Sequence, residues 1–284
     1  MLLRCGPHTL DLSIPRVMGI LNVTPDSFSD GGRLFDVSRV DVARAVEHGL
    51  AMVAAGADLI DVGGESTRPG ARDVGEAEEI ERVVPVVAAL AAVVNVPISV
   101  DTSKAGVIAA ALNAGASMVN DVRALREPGA LEAAASSTVA ICLMHMQGAP
   151  RTMQHDPHYT DVVAEVRDFL AMRVAACERA GVARDRIVID PGIGFGKRLE
   201  HNLALLADLP ALRQLGLPVL IGASRKSMLG RLLGRGVEQR LAGSLALATA
   251  AALGGASILR VHDVGETVDA VRAAAALGTA GFHI

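Results

Sequence analysis

The chain contains no tryptophan, one tyrosine and five phenylalanines in 284 residues. So few rings leave no platform on which successive nucleic-acid bases would stack. A basic surplus is also missing: 27 Lys and Arg stand against 31 Asp and Glu, a formal net charge of −4. That balance lacks the electrostatic footprint of nucleic-acid binding, although it is compatible with a small basic pocket. Only three cysteines occur, Cys5, Cys142 and Cys177, and none forms a CxxC pair. The spacing excludes a structural zinc site and a disulfide framework, and free thiols in a reducing compartment are expected. Residues 1–16 carry Arg4, Pro7 and Asp11, which interrupt any signal-peptide run. Two uncharged stretches, 83–100 and 241–259, approach membrane-spanning length. The first contains Pro85, Asn95 and Pro97, and the second three glycines, two serines and Thr249. Both are too poor in large apolar side chains to span a bilayer, and they read as buried helix or helix followed by strand. With 51% hydrophobic and 20% charged residues, disorder is excluded and a full core is available.

What is present is a repeating unit. Short apolar runs stop at polar residues or glycine: 17–21 before Asn22, 59–62 before Gly63, 97–100 before Asp101 and 117–119 before Asn120. The series continues with 139–144 before His145, 186–189 before Asp190, 218–221 before Gly222 and 258–261 before His262. Most of these eight candidate strands are apolar throughout, as expected when helices cover a parallel sheet. Residues 40–55, 159–180, 199–215 and 264–277 have helical character, and Gly56, Gly115 and Gly181 suit left-handed caps. The segment after the seventh strand holds two helices divided near 234–236. The pattern predicts a single-domain α/β protein over residues 1–284, a (β/α)8 TIM barrel, with a short N-terminal hairpin in 2–14 closing its bottom. A doubly wound open sheet is the alternative.

In such a barrel, chemistry sits at the C-terminal ends of the strands. Asn22, Asp61, Asp101, Asn120, His145, Asp190, Lys226, Arg260 and His262 fall at or just beyond those ends. Any one alone suits a turn or a helix cap, but the fold gathers the set into one rim. Asp101, Asn120 and Asp190 offer acceptors to a flat heterocycle with N–H and amino groups. Arg260 and His262 alternate along one strand and, with Asn22, suit a phosphate, alone or with a metal. The glycine-rich run 192–197 lacks Walker spacing and reads as a turn that lets Phe195 approach a ring. His155 and His158 have no evident third metal partner. Lys226, flanked by Ser224, Arg225 and Ser227, reads as an anion or ring contact rather than a Schiff-base lysine.

Eight motifs together resemble the dihydropteroate synthase family, the sulfonamide-inhibited enzymes of folate biosynthesis. They are MGILNVTPDSFSDGG at 18–32, DVGGESTRPG at 61–70, SVDTS at 99–103, NDV at 120–122, LMHMQG at 143–148, DPGIGFGK at 190–197, GASRKS at 222–227 and RVHD at 260–263. The resemblance implies a transferase that joins (7,8-dihydropterin-6-yl)methyl diphosphate to 4-aminobenzoate, releasing diphosphate. It implies that Asp101, Asn120, Asp190, Phe195 and Lys226 hold the pterin. Asn22, Arg68, Arg260 and His262 would meet the diphosphate, with Mg2+ at Asn22. Phe28, Thr67, Arg68, Pro69 and Ser227 would meet 4-aminobenzoate. Lys226, Asp101, Arg260 and His262 would carry catalysis. A cytoplasmic homodimer with small-molecule substrates is expected, with no nucleic-acid or membrane partner. An electron-rich dihydropterin supports a cation at its exocyclic CH2, so diphosphate is expected to depart before the amine attacks; no catalytic triad is required. A methyltetrahydrofolate-dependent methyltransferase and a non-catalytic pterin-binding paralogue are the alternatives. The 24–32 loop and the 224–227 run speak against the first, and the intact motifs against the second. One departure from the family pattern is Arg123-Ala124, where small residues are expected.

Overall fold

The structure is a computed structural model describing residues 1–24, 35–36, 39–66, 72–149 and 152–280. Strands β1 (Leu2–Cys5) and β2 (His8–Asp11) form an antiparallel hairpin, followed by β3 (Arg16–Asn22). A small pair, β4 (Phe35–Asp36) and β5 (Arg39–Val40), precedes helix α1 (Val42–Ala54). The regular alternation then runs β6 (Leu59–Gly63), α2 (Glu76–Ala91), β7 (Ile98–Asp101), α3 (Ala105–Asn113), β8 (Met118–Asp121), α4 (Ala130–Ala135), β9 (Ala140–Met144) and α5 (Val162–Arg179). It ends with β10 (Ile187–Asp190), α6 (Leu199–Ala207), α7 (Leu209–Arg213), β11 (Leu220–Ile221), α8 (Ser227–Leu233), α9 (Leu241–Leu253), β12 (Ile258–Val261) and α10 (Val264–Thr279).

Eight of these strands are parallel neighbours in the order β10-β9-β8-β7-β6-β3-β12-β11. A bridge between Ile189 and Val219 joins the two ends, so the ring is the expected barrel. Strands covered on both faces have no solvated side, which is why their side chains are buried almost throughout. Inside the bottom of the barrel, Met18, Leu59, Met118, Cys142, Val188, Leu220 and Ile258 form one apolar cluster. Leu3 and Cys5 of the hairpin complete it from below, as the sequence predicts. The hairpin packs over the bottom, and the opposite end, where the strands finish, is left for a ligand among the described residues.

Two elements differ from expectation. The predicted helix 199–215 is two helices, because Asp208 leaves helical geometry and its carboxylate accepts the Ala211 N–H, capping α7 with Pro210 in the first turn. The seventh barrel strand, β11, has two residues rather than four. The uncharged stretches resolve as helix followed by strand, and no helix among the described residues is long and apolar enough to cross a membrane. Gly56, Gly115 and Gly181 all adopt positive φ at helix ends, as predicted.

Candidate active site

A cavity of about 430 Å³ opens at the C-terminal ends of the strands. Asp101 at the end of β7, Asn120 on β8 and Asp190 at the end of β10 place acceptors around it. Val122, Met144 and Met153 pack with Phe195 as an apolar flank. Lys226 caps that flank: Nζ lies 4.5 Å from the centroid of the Phe195 ring and donates to the Ile193 carbonyl. Burial lowers the Lys226 pKa to about 8, against the opposing pull of Asp190. Burial raises Asp190 in turn, opposed by Lys226 and by the Gly192 N–H, which donates to Oδ1 at 2.7 Å. Gly192 has φ +69°, and a Cβ there would lie 1.9 Å from the His145 carbonyl oxygen. The turn that carries Phe195 therefore requires glycine.

Arg260, from β12, ties the acidic wall together. Its Nε donates to Asp61 at 2.6 Å and its Nη2 to Asp101 at 2.7 Å. Asp61 also accepts from Asn120 Nδ2 at 3.1 Å and is fully buried. Burial disfavours the guanidinium charge, but Asp61 and Asp101 outweigh it and hold the Arg260 pKa above its ordinary value. Burial pushes the Asp101 pKa up despite Arg260. At the mouth, His262 Nδ1 and Ser224 Oγ are 3.1 Å apart, and the His262 N–H donates to the same hydroxyl at 3.2 Å. Asn22, Arg225 and Ser227 line the same opening. Arg225 has φ +55° and is fixed by its N–H to Ser244 Oγ and by its guanidinium to Asp263. The arrangement offers acceptors for a flat amino-substituted ring on one side, a cation over an aromatic face on the other, and polar and cationic groups at the exit.

Residues 18–262 match the pterin-binding enzyme family. The dihydropteroate synthase of Escherichia coli K12 is 56% identical over 264 residues, covering 93% of this chain and 92% of that protein. The chain belongs to the dihydropteroate synthase family. Among solved structures, Yersinia pestis dihydropteroate synthase with a sulfonamide drug complex superposes with a TM-score of 0.94 at 53% identity, covering 98% of this chain and 100% of that one. Xanthomonas albilineans dihydropteroate synthase with 4-aminobenzoic acid gives 0.90 at 53% identity, covering 98% of each chain.

The predicted dihydropteroate synthase positions Asn22, Asp101, Asn120, Asp190, Phe195, Lys226, Ser227, Arg260 and His262 all line this one cavity. Phe28, Thr67, Arg68 and Pro69 lie outside the described residues. His145 stands apart from the rim: its Nδ1 is 2.9 Å from the Nζ of Lys197, which is 2% exposed. Burial lowers Lys197 to about 7 and His145 to about 3, and Lys197 Nζ also donates to the Phe195 carbonyl at 3.0 Å, which ties the glycine turn to this buried pair. Arg123, the departure from the family pattern, pairs with Glu127 and lines the neighbouring cavity rather than this one. Sequence reasoning noted Asp61 at a strand end but gave it no task. Its task, holding Arg260 and Asn120 together, appears only when the barrel closes. Among the described residues no group of three His, Cys, Asp or Glu could hold a metal.

Proposed function

We propose that this cavity joins (7,8-dihydropterin-6-yl)methyl diphosphate to 4-aminobenzoate, giving 7,8-dihydropteroate and diphosphate. The observation that carries the reading is the placement of Asp101, Asn120 and Asp190 opposite Lys226 and Phe195 in one cavity. The acceptors meet the ring N–H and amino groups, and the lysine donates to a ring acceptor. The C–O bond at the exocyclic CH2 breaks, and its electron pair leaves with the diphosphate. Asp101 and Asp190 stabilise the positive charge that develops on the ring. Two of the three Arg260 nitrogens are committed to Asp61 and Asp101, so Arg260 assists the departing anion mainly through its charge. His262 and Asn22 face the anion at the mouth, where the family resemblance also assigns Arg68. The amine nitrogen of 4-aminobenzoate then bonds to the CH2, and its surplus proton passes to the released diphosphate or to solvent. Ser227 is the described member of the acceptor subsite, which the resemblance completes with Phe28, Thr67, Arg68 and Pro69.

The donor set fits magnesium. Mg2+ keeps several waters and takes few protein ligands beside substrate phosphates, and the Asn22 carboxamide oxygen at the mouth is a donor of the type it takes. Asn22 would hold the ion, which when bound supplies charge neutralisation for the leaving diphosphate. We also assign a homodimer built on the C-terminal helices, supported by the exposed Leu232, Leu233, Leu241 and Leu277, and a cytoplasmic location. Sedimentation velocity tests the dimer; a monomer at micromolar concentration refutes it.

The deciding assay is diphosphate release by the purified protein with dihydropterin diphosphate and magnesium, with and without 4-aminobenzoate. Release coupled to dihydropteroate formation, abolished in Asp101→Ala and Lys226→Ala, is expected. Pterin binding without any turnover would overturn the reading. In a single turnover lacking 4-aminobenzoate, diphosphate is expected to appear; its absence would refute departure before attack.

A further inference from the structure

Lys226 follows a residue in an uncommon backbone conformation. Arg225 has φ +55°, the left-handed region that disfavours any residue with a Cβ. Such an angle persists where its surroundings over-determine it. Here both main-chain groups of Arg225 are held from the start of α9. Its N–H donates to Ser244 Oγ at 2.9 Å, and its carbonyl accepts from Arg240 Nη1 at 3.0 Å. The Ser244 hydroxyl donates its own hydrogen to the Arg240 carbonyl at 2.8 Å, which fixes the direction of its lone pairs. The Arg225 guanidinium is tied separately to Asp263, the N-cap of α10. Arg240 lines the cavity, whereas Ser244 is buried and does not. The Lys226 stem in turn runs so close to the glycine turn that a Cβ on Gly194 would stand 2.8 Å from Lys226 Cδ. A stem packed this closely leaves little choice of path, so the backbone angle at Arg225 decides whether Nζ reaches the face of Phe195.

We infer that Ser244 is a positioning residue for Lys226: together with Arg240 it holds Arg225 at positive φ, and so seats the lysine against the Phe195 ring. The inference rests on the proposal that Lys226 meets the pterin. Ser244 acts through a single backbone N–H. Without that acceptor Arg225 relaxes toward negative φ and turns Lys226 out of its groove. A displacement of about 1 Å can cost up to about a hundredfold in rate, and losing one of two main-chain holds is expected to cost about tenfold. The displaced ammonium also changes its titration. Burial is the chief reason that Lys226 stands near 8, with Asp190 opposing it, Arg260 adding to it and Asp101 opposing it. Better hydrated, the group returns toward the ordinary lysine value of about 10.4.

The test measures kcat/KM for dihydropterin diphosphate against pH, with saturating 4-aminobenzoate and magnesium, in the parent and in Ser244→Ala, a change that suits a helix. A fall of about tenfold at neutral pH is expected, with the descending limb moved up from near 8 by about one pH unit. A lower rate with the limb unmoved would make Ser244 merely structural and overturn the inference; an unchanged rate would overturn it as well. Two double variants test the backbone angle itself. Arg225→Gly/Ser244→Ala and Arg225→Ala/Ser244→Ala both lack the guanidinium, but only glycine takes positive φ without a Cβ. The glycine variant is expected to be faster by about threefold or more; equal rates would show that Ser244 does not act through that angle, and would overturn the inference. Lys226→Arg separates this from the underlying reading. If Lys226→Arg moves the limb and Ser244→Ala does not, the inference alone fails; if Lys226→Arg leaves the limb in place, the assignment of Lys226 fails and takes the inference with it.

Discussion

Replacing Arg260 with methionine removes the cation that bridges Asp61 and Asp101 and keeps a side chain of similar length. Both bonds are short, 2.6 and 2.7 Å, and Asp61 has no exposure. Removing one partner of a buried pair costs about 3–5 kcal/mol, because the remaining charge is stranded. Unfolding entropy of about 2.1 cal/mol/K per residue over 284 residues gives about 0.6 kcal/mol per degree. The substrate-free variant should therefore melt about 5–8 °C below the parent at pH 8. The gap should narrow at pH 5. Burial raises the Asp101 pKa even with Arg260 present, so the folded variant takes up a proton more readily than the unfolded chain. That contribution is fully present below the unfolded carboxylate pKa and is lost progressively as pH rises from there through the raised folded pKa, so at pH 5 part of it remains that is gone at pH 8. Calorimetry of the parent, Arg260→Met and Asp61→Asn/Arg260→Met at both pH values reads this out. The double variant strands one carboxylate fewer and should recover more than half of the loss. An Arg260→Met melt within 2 °C (roughly 1 kcal/mol) of the parent, or a double variant below the single, would show that the carboxylates do not depend on Arg260.

Three further outcomes are expected. With Lys226 near pKa 8, kcat/KM for the pterin substrate should fall as pH rises above about 8, and Lys226→Arg should move that limb beyond pH 10; an unshifted limb would assign it to another group. Gly192→Ala should lose about 3 kcal/mol or more, or fail to fold, since its Cβ meets the His145 carbonyl at positive φ; a melt equal to the parent would refute the need for glycine. Asn22→Ala should raise the magnesium concentration for half-maximal rate on the order of tenfold while leaving the metal-free melt unchanged. An unchanged magnesium requirement would remove Asn22 from the metal site.

The barrel was legible because each strand ends abruptly at a polar residue or glycine, as at Asn22, Asp101 and Asp190, and the fold collects those ends. The break at Asp208 was readable in principle, since aspartate two residues before proline is a helix-start signal; the apolar residues around it masked the stop. Pairings across the barrel were not legible. Asp61 and Arg260 are 199 residues apart, and Glu65 and Lys104 are 39 apart, so no local pattern announces either. Lys197 closes the glycine-rich run that reads as a turn bringing Phe195 to a ring, but nothing in that run announced that positive φ at Gly192, Gly194 and Gly196 would bring Lys197 onto His145. Charge type could be read along the chain, whereas partner and depth depended on closure.

The ring has an uneven circumference. Seven of its joins are ladders, but β10 meets β11 only at the isolated Ile189–Val219 bridge, in which the Ile189 N–H donates to the Pro218 carbonyl. Asp190 stands on one side of that seam and Lys226 on the other. Under the proposed assignment, a pterin gripped by both would act as a rivet across the thinnest weld of the hoop, and occupancy and ring integrity would be linked. Amide exchange at Val219, Leu220 and Ile221 should be the fastest in the barrel without ligand, and should slow most when the ring is filled.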